Sequence, residues 1–302
     1  MPISLFDPLQ RAWERMVRML FRPFQARTWF VLGFAAFLSE FLSGGTATHY
    51  GWHGHGDHWR HGEFASRIHE WLSEPGIIVA AVCVGAVALV AAIALLWVSC
   101  RGRFIFLDDV VHERAAIVDP WHRYARLGDS LFIWSLLFIL GVGVLLLVIA
   151  LPFLASLQQL WAEGSFSWTG VLSILGFVVL AIPLAILIGY TLLFLNAFVV
   201  PIMYRHELTT VPAWSRFLAL FRQHPWWFIG YGLMVLAIRV VVITLVFVVS
   251  VSTCCVGFFI FAAPYIGQVA LLPALATVRA YGPEFLAQFG PEYDVLAAGA
   301  KA

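Results

Sequence analysis

The residues of this chain that could do chemistry fall into two sets. Five histidines, His49, His53, His55, His58 and His61, follow one another at spacings of four, two, three and three, with Asp57 among them. Imidazole and carboxylate at such intervals suit Zn, Ni or Cu, and the intervening glycines let a loop wrap an ion without presetting its geometry. The competing reading is a solvated, compositionally biased tether. The second set lies in apolar surroundings: Glu40, Arg239, Asn196 and Gln268. A charge inside a hydrophobic run is costly without a partner, so it marks either a binding site or a structural lock. Glu40 stands twelve residues after Thr28 and Arg239 thirteen after Trp226. Helices rising from one side therefore carry both to ~18–20 Å from that side. They are read either as a pair or as two groups that reach separately for the headgroups.

Other reactive patterns are incomplete. The single lysine, Lys301, sits one residue from the end, and no phosphate-binding Gly-x-x-x-x-Gly-Lys occurs. His112-Glu113 and His206-Glu207 do not extend to the His-Glu-x-x-His of a zinc peptidase. Asp108-Asp109 reads as a capped or solvated helix end. Cys83 could bond Cys254 or Cys255 in an oxidising exterior, but packing is the simpler use of a small apolar side chain. No cluster makes a catalytic set, so the expectation is no enzyme and no resident cofactor, apart from a metal on the histidine loop.

The elements that must position these residues are membrane helices. Of 302 residues, 62% are hydrophobic and only 12% charged, against about 45–50% and about 25% in soluble domains. Continuous apolar runs of eighteen or more residues span a hydrocarbon core as helices, because unpaired backbone is too costly in lipid. Such runs are expected at 28–44, 76–99, 130–155 and 170–200, with two more between Trp226 and Tyr281 that turn near Ser250–Gly257. Pro183 should bend the fourth run. Ala81, Gly85, Ala88 and Ala92 are expected to bring a neighbouring helix close to the second. Between runs, Asp7–Arg22 places Arg11, Arg15, Arg18 and Arg22 on one helical face and Leu9, Trp13, Met16, Val17 and Leu20 on the other, as in a helix lying in the membrane interface.

The same device recurs. Asp7-Pro8 corresponds to Asp119-Pro120, and Pro212 opens a third copy; Arg11, Arg123 and Arg216 follow in each. Trp121 and Trp214 are each trailed thirteen residues later by Trp134 and Trp227. The expected fold is all-α, a polytopic membrane protein of six transmembrane helices built as three repeats of interfacial amphipathic helix plus hairpin. The units run over 7–99, 108–200 and 209–281 within one membrane domain of residues 1–302. A histidine-rich external loop covers 45–75, and a cytoplasmic tail 282–302. Among the 18 Lys and Arg residues, only Arg60 and Arg67 fall on the outer side and Arg239 within a span. That asymmetry places both termini in the cytoplasm.

Phe198-Val199-Val200-Pro201-Ile202-Met203-Tyr204, Thr253-Cys254-Cys255, Pro264-Tyr265-Ile266-Gly267, Leu272-Pro273, Arg279-Ala280-Tyr281 and Gln288-Phe289-Gly290-Pro291-Glu292-Tyr293-Asp294 carry a resemblance. The chain resembles an uncharacterised group of six-helix prokaryotic membrane proteins, a domain of unknown function. That group is similar in layout to the membrane domain fused to some glycerophosphodiester phosphodiesterases. The resemblance implies a fold and a prokaryotic inner membrane but no activity. No phosphodiesterase domain is present, and the histidines depart from the group's glycine-rich loop. Two functional classes remain. One is a non-enzymatic scaffold or lipid- and partner-binding protein whose basic segments face anionic headgroups at the cytoplasmic surface. The other is a permease-like carrier with a site near Arg239, Glu40, Asn196 and Gln268. Nucleic acid is not an expected partner. A water-accessible cavity reaching Arg239 favours the carrier; a packed interior favours the scaffold.

Overall fold

The structure, a computed structural model, describes residues 3–22, 24–40, 75–163, 168–253 and 256–296. Twelve α-helices and no strand occur among them: α1 Phe6–Phe21, α2 Ala26–Glu40, α3 Pro75–His112, α4 Val118–Arg123, α5 Ala125–Glu163, α6 Trp168–Phe194, α7 Val200–His206, α8 Thr210–Gln223, α9 Pro225–Ser252, α10 Val256–Ala262, α11 Pro264–Ala270 and α12 Leu272–Leu286. Four stretches are long and apolar enough to cross a membrane: Gly76–His112, Ala125–Leu154, Leu175–His206 and Pro225–Ser252. The first expected run is represented by α2, fifteen residues long. The last is divided into α10, α11 and α12, because Pro264 and Pro273 each lack the N–H that would continue the preceding helix.

Packing is concentrated at one end. The core joins the second half of α3 (Leu96–Val111), the start of α5, the α6–α7 junction, α8, the start of α9 and α12. Phe198 lies at its centre, against Phe217, Phe228, Tyr231 and Phe285 at centroid distances of 4.7–5.9 Å. Away from this base α3 is bare: every residue from Gly76 to Leu95 is exposed. The expected close packing through Ala81, Gly85, Ala88 and Ala92 is therefore not found among the described residues, where a methyl on Gly85 meets nothing within 4 Å. The close contact lies further along at Gly102, whose missing side chain admits the backbone of Leu38 and Ser39 from α2.

Two sequence boundaries move. The second span does not stop at Ser99, since α3 continues to His112 and buries Arg103, Asp108 and Asp109. Their partners are inside the protein, so their polarity does not end the helix. The expected tail from residue 282 is likewise part of the base: α12 runs to Leu286, Phe285 is wholly buried, and Gln288 bonds the Ser4 backbone in both directions at 2.8 and 2.9 Å.

The first amphipathic helix is present, but its apolar stripe of Ala12, Met16, Met19 and Leu20 is buried in the protein core, and α1 packs on α12. Arg11 and Arg15 reach Glu284 of α12 at 3.3 and 3.6 Å.

Glu113 and Glu207, each after a His-Glu helix end, are the two non-glycine residues with positive φ among those described, at 50° and 52°. Exposed Glu207 holds the left-handed turn at the end of α7. Glu207→Gly is expected to raise stability by about 0.5–1 kcal/mol by removing that strain. Glu113→Gly should gain nothing, because Glu113 also accepts from Arg15 and Arg18 at 3.2 and 3.4 Å. Thermal unfolding of both variants in one detergent separates the two outcomes.

Candidate functional site

Where α6 gives way to α7 the helix widens into a π-type turn, Leu195–Val199, in which the Val200 N–H donates to the Leu195 carbonyl. Pro201 then leaves one acceptor of the turn open. In this wider register the Asn196 carbonyl would take its bond from residue 201, which has no N–H. The Arg279 guanidinium donates to that carbonyl instead, at 3.2 Å, and also to the backbone carbonyl of Arg103. Gly282 lets α12 come this close, since a methyl there would collide with the Ala197 carbonyl. Proline, widened turn, arginine and glycine thus form one joint between α3, α6, α7 and α12.

Above the joint lies a cavity of about 420 Å³, within the range of small-molecule sites. Its polar lining residues include Arg103, Arg279, Arg239, Asn196 and Tyr231; its apolar ones include Ile186, Leu193, Val235, Leu236 and Leu275. Arg239 is exposed, and no ion pair or hydrogen bond to it occurs among the described residues. The Tyr231 hydroxyl is buried and likewise has no hydrogen-bond partner among them, a condition that few native groups tolerate. Ile186 and Leu236, each 56% exposed, are among the apolar lining residues, so the cavity meets the protein's hydrophobic flank.

The structure therefore brings Arg239 and Asn196 to one cavity. Gln268 is not there: it sits on α11, with its Oε1 buried and unpartnered among the described residues. The Glu40 side chain lies outside the described residues, although its neighbour Ser39 lines the cavity. His49, His53, His55, His58 and His61 lie outside them as well, as do Cys254 and Cys255; Cys83 is a free, exposed thiol. Among the described residues no three His, Cys, Asp or Glu side chains gather as metal ligands would.

The model of a family of unknown function, DUF7544, matches residues 3–289. The chain belongs to DUF7544. Curated proteins and solved structures yield no match. For this DUF7544 chain, function has to be argued from its own side chains.

A second polar cluster lies in the base, where the sequence suggested a helix end. Asp108 is completely buried and accepts from Tyr204 at 2.7 Å, Tyr124 at 3.1 Å and Arg114 at 3.0 Å, with His112 Nδ1 3.3 Å away. Asp109, equally buried, accepts the Ala116 N–H at 2.9 Å, while its other oxygen has no partner among the described residues. This arrangement ties α3, α7, the end of α4 and the α3–α4 turn together, as a structural lock does.

Three cavity residues escaped the sequence reading. Arg103 and Arg279 counted only as inner-loop charges, and Tyr231 as apolar filling. One signal was available: Arg103 is followed by Phe-Ile-Phe-Leu, a hydrophobic continuation that a loop has no reason to carry.

Proposed function

We propose that this is an integral membrane protein that binds an anionic amphiphile in the cavity beside Arg239. The observation that carries the reading is exposed Arg239 in a cavity lined both by arginines and by apolar side chains. An acid group offsets the cost of a charge set in an apolar helix, and the buried Tyr231 hydroxyl offers it a hydrogen bond. A hydrocarbon tail suits Ile186, Val235 and Leu236. The cavity supports binding of a lipid-like ligand, in a holding or carrying role, over a purely architectural one. We further read the chain as crossing a prokaryotic inner membrane six times with both termini in the cytoplasm. On that reading α2 and the broken α10–α12 segment supply the two crossings beyond the four long helices, and the basic segments support the orientation.

The test is equilibrium binding of a fluorescent fatty acid to the full chain in neutral-lipid nanodiscs. Arg239→Gln is expected to weaken binding about tenfold or more, one charge-assisted hydrogen bond being worth about 1.5–3 kcal/mol. Glu40→Gln should leave it unchanged or tighten it, since it removes any carboxylate competing for the same arginine. Unchanged affinity in Arg239→Gln would sink the proposal.

A further inference from the structure

A second concavity, of about 790 Å³, lies between the α1–α2 elbow and the α3–α4 turn, and its walls carry Arg18, Arg22, Arg27, Arg114, Thr28 and Glu113. Four guanidiniums face one carboxylate. Two of the four are already engaged: Arg18 on Glu113 at 3.4 Å and Arg114 on Asp108 at 3.0 Å. Arg22 and Arg27 are exposed and have no ion-pair or hydrogen-bond partner among the described residues. The carbonyl ends of α1 and α3 also point here, which favours cations and opposes an anion. Any attraction for an anion must therefore come from Arg22 and Arg27, with Arg18 and Arg114 adding the rest.

The surroundings suggest what that anion is attached to. Phe21 and Phe24, 47% and 64% exposed, flank Trp29, whose indole N–H is anchored on the Leu20 carbonyl at 2.9 Å. Aromatic side chains grouped at the foot of an apolar helix mark headgroup level. Guanidinium is the side chain that matches phosphate oxygens two at a time.

We propose that this cleft is a phosphate-recognition site, separate from the bundle cavity, in which Arg22 and Arg27 hold the phosphate of an anionic lipid headgroup. A free phosphate presents the same oxygens, so the test must separate the two sources. The full chain in mild detergent is titrated with short-chain phosphatidic acid and, separately, with inorganic phosphate. Both titrations are made with the wild type and on an Arg239→Gln background, in which binding to the bundle cavity is expected to be weakened. Arg22→Ala/Arg27→Ala is expected to weaken phosphatidic acid binding at least tenfold, and Arg22→Lys/Arg27→Lys to restore part of it. Arg205→Ala/Arg222→Ala, which removes two exposed arginines elsewhere, should change it less than twofold. Binding of phosphatidic acid without inorganic phosphate supports the headgroup as the source; binding of both, with the same loss in Arg22→Ala/Arg27→Ala, supports a phosphate site open to soluble anions. Equal losses in the two alanine pairs, or none in the first, would overturn the proposal.

Discussion

Asp108→Ala is expected to lower the stability of the solubilised protein by about 3–5 kcal/mol, the usual cost of removing one partner from a buried charged network. The substitution strands several donors at once. Tyr124 and Tyr204 lose the oxygen they share, and Arg114 loses its ion pair. Because these donors come from the α3–α4 turn, the end of α4 and from α7, the loss separates elements rather than loosening one. Asp108→Asn should be milder, since the amide oxygen still accepts from one tyrosine. Asp109→Asn should be nearly silent, because an amide oxygen keeps the Ala116 N–H. Chemical denaturation followed by tryptophan fluorescence ranks the three. A loss under about 1 kcal/mol for Asp108→Ala, no more than an ordinary hydrogen bond, would mean that the network is not what holds the base.

The second large effect is expected at Gly282. A methyl there overlaps the Ala197 carbonyl, and the obstacle is backbone on the far side of the contact, so no rotamer change relieves it. Gly282→Ala should cost about 3 kcal/mol, at the upper end of overpacking penalties. It should also push α12 outward, taking Arg279 from the Asn196 carbonyl and leaving that half-buried acceptor unpaired. The signature is a joint loss of thermal stability and of ligand binding. A variant as stable as wild type would show that the α7–α12 joint can spread without penalty.

The sequence made the apolar runs legible because lipid imposes one rule on every exposed residue, and runs such as Leu131–Leu154 and Pro225–Ser252 obey it almost throughout. The last run was expected whole, although Pro264 and Pro273 stand where α11 and α12 begin. The sequence was silent on where polar residues go once a helix enters the protein interior. Arg101, Arg103, Asp108 and Asp109 read singly as loop charges, yet α3 carries all four. Arg101 stacks over Trp97 at 4.1 Å and pairs with Asp129 at 3.0 Å, while Asp108 is satisfied by tyrosines 16 and 96 residues away. Trp97 is one helical turn away, but Asp129 and the two tyrosines are tertiary partners that no local window contains. The cavity was half legible for the same reason. Arg239 and Asn196 stood out against their apolar neighbours, whereas Arg103 and Arg279 did not.

The bare outer half of α3 has a consequence for how the molecule holds its shape. From Gly76 to Leu95 no side chain is buried by another part of the described protein; on the membrane reading proposed above, that stretch owes its order to acyl chains and not to neighbouring helices. On that reading the base, with its aromatic core, is expected to unfold as one unit, while the outer half of α3 depends on the bilayer. Chain length and lateral pressure of the surrounding lipid then act directly on that half, and reach the proposed ligand cavity only through the joint.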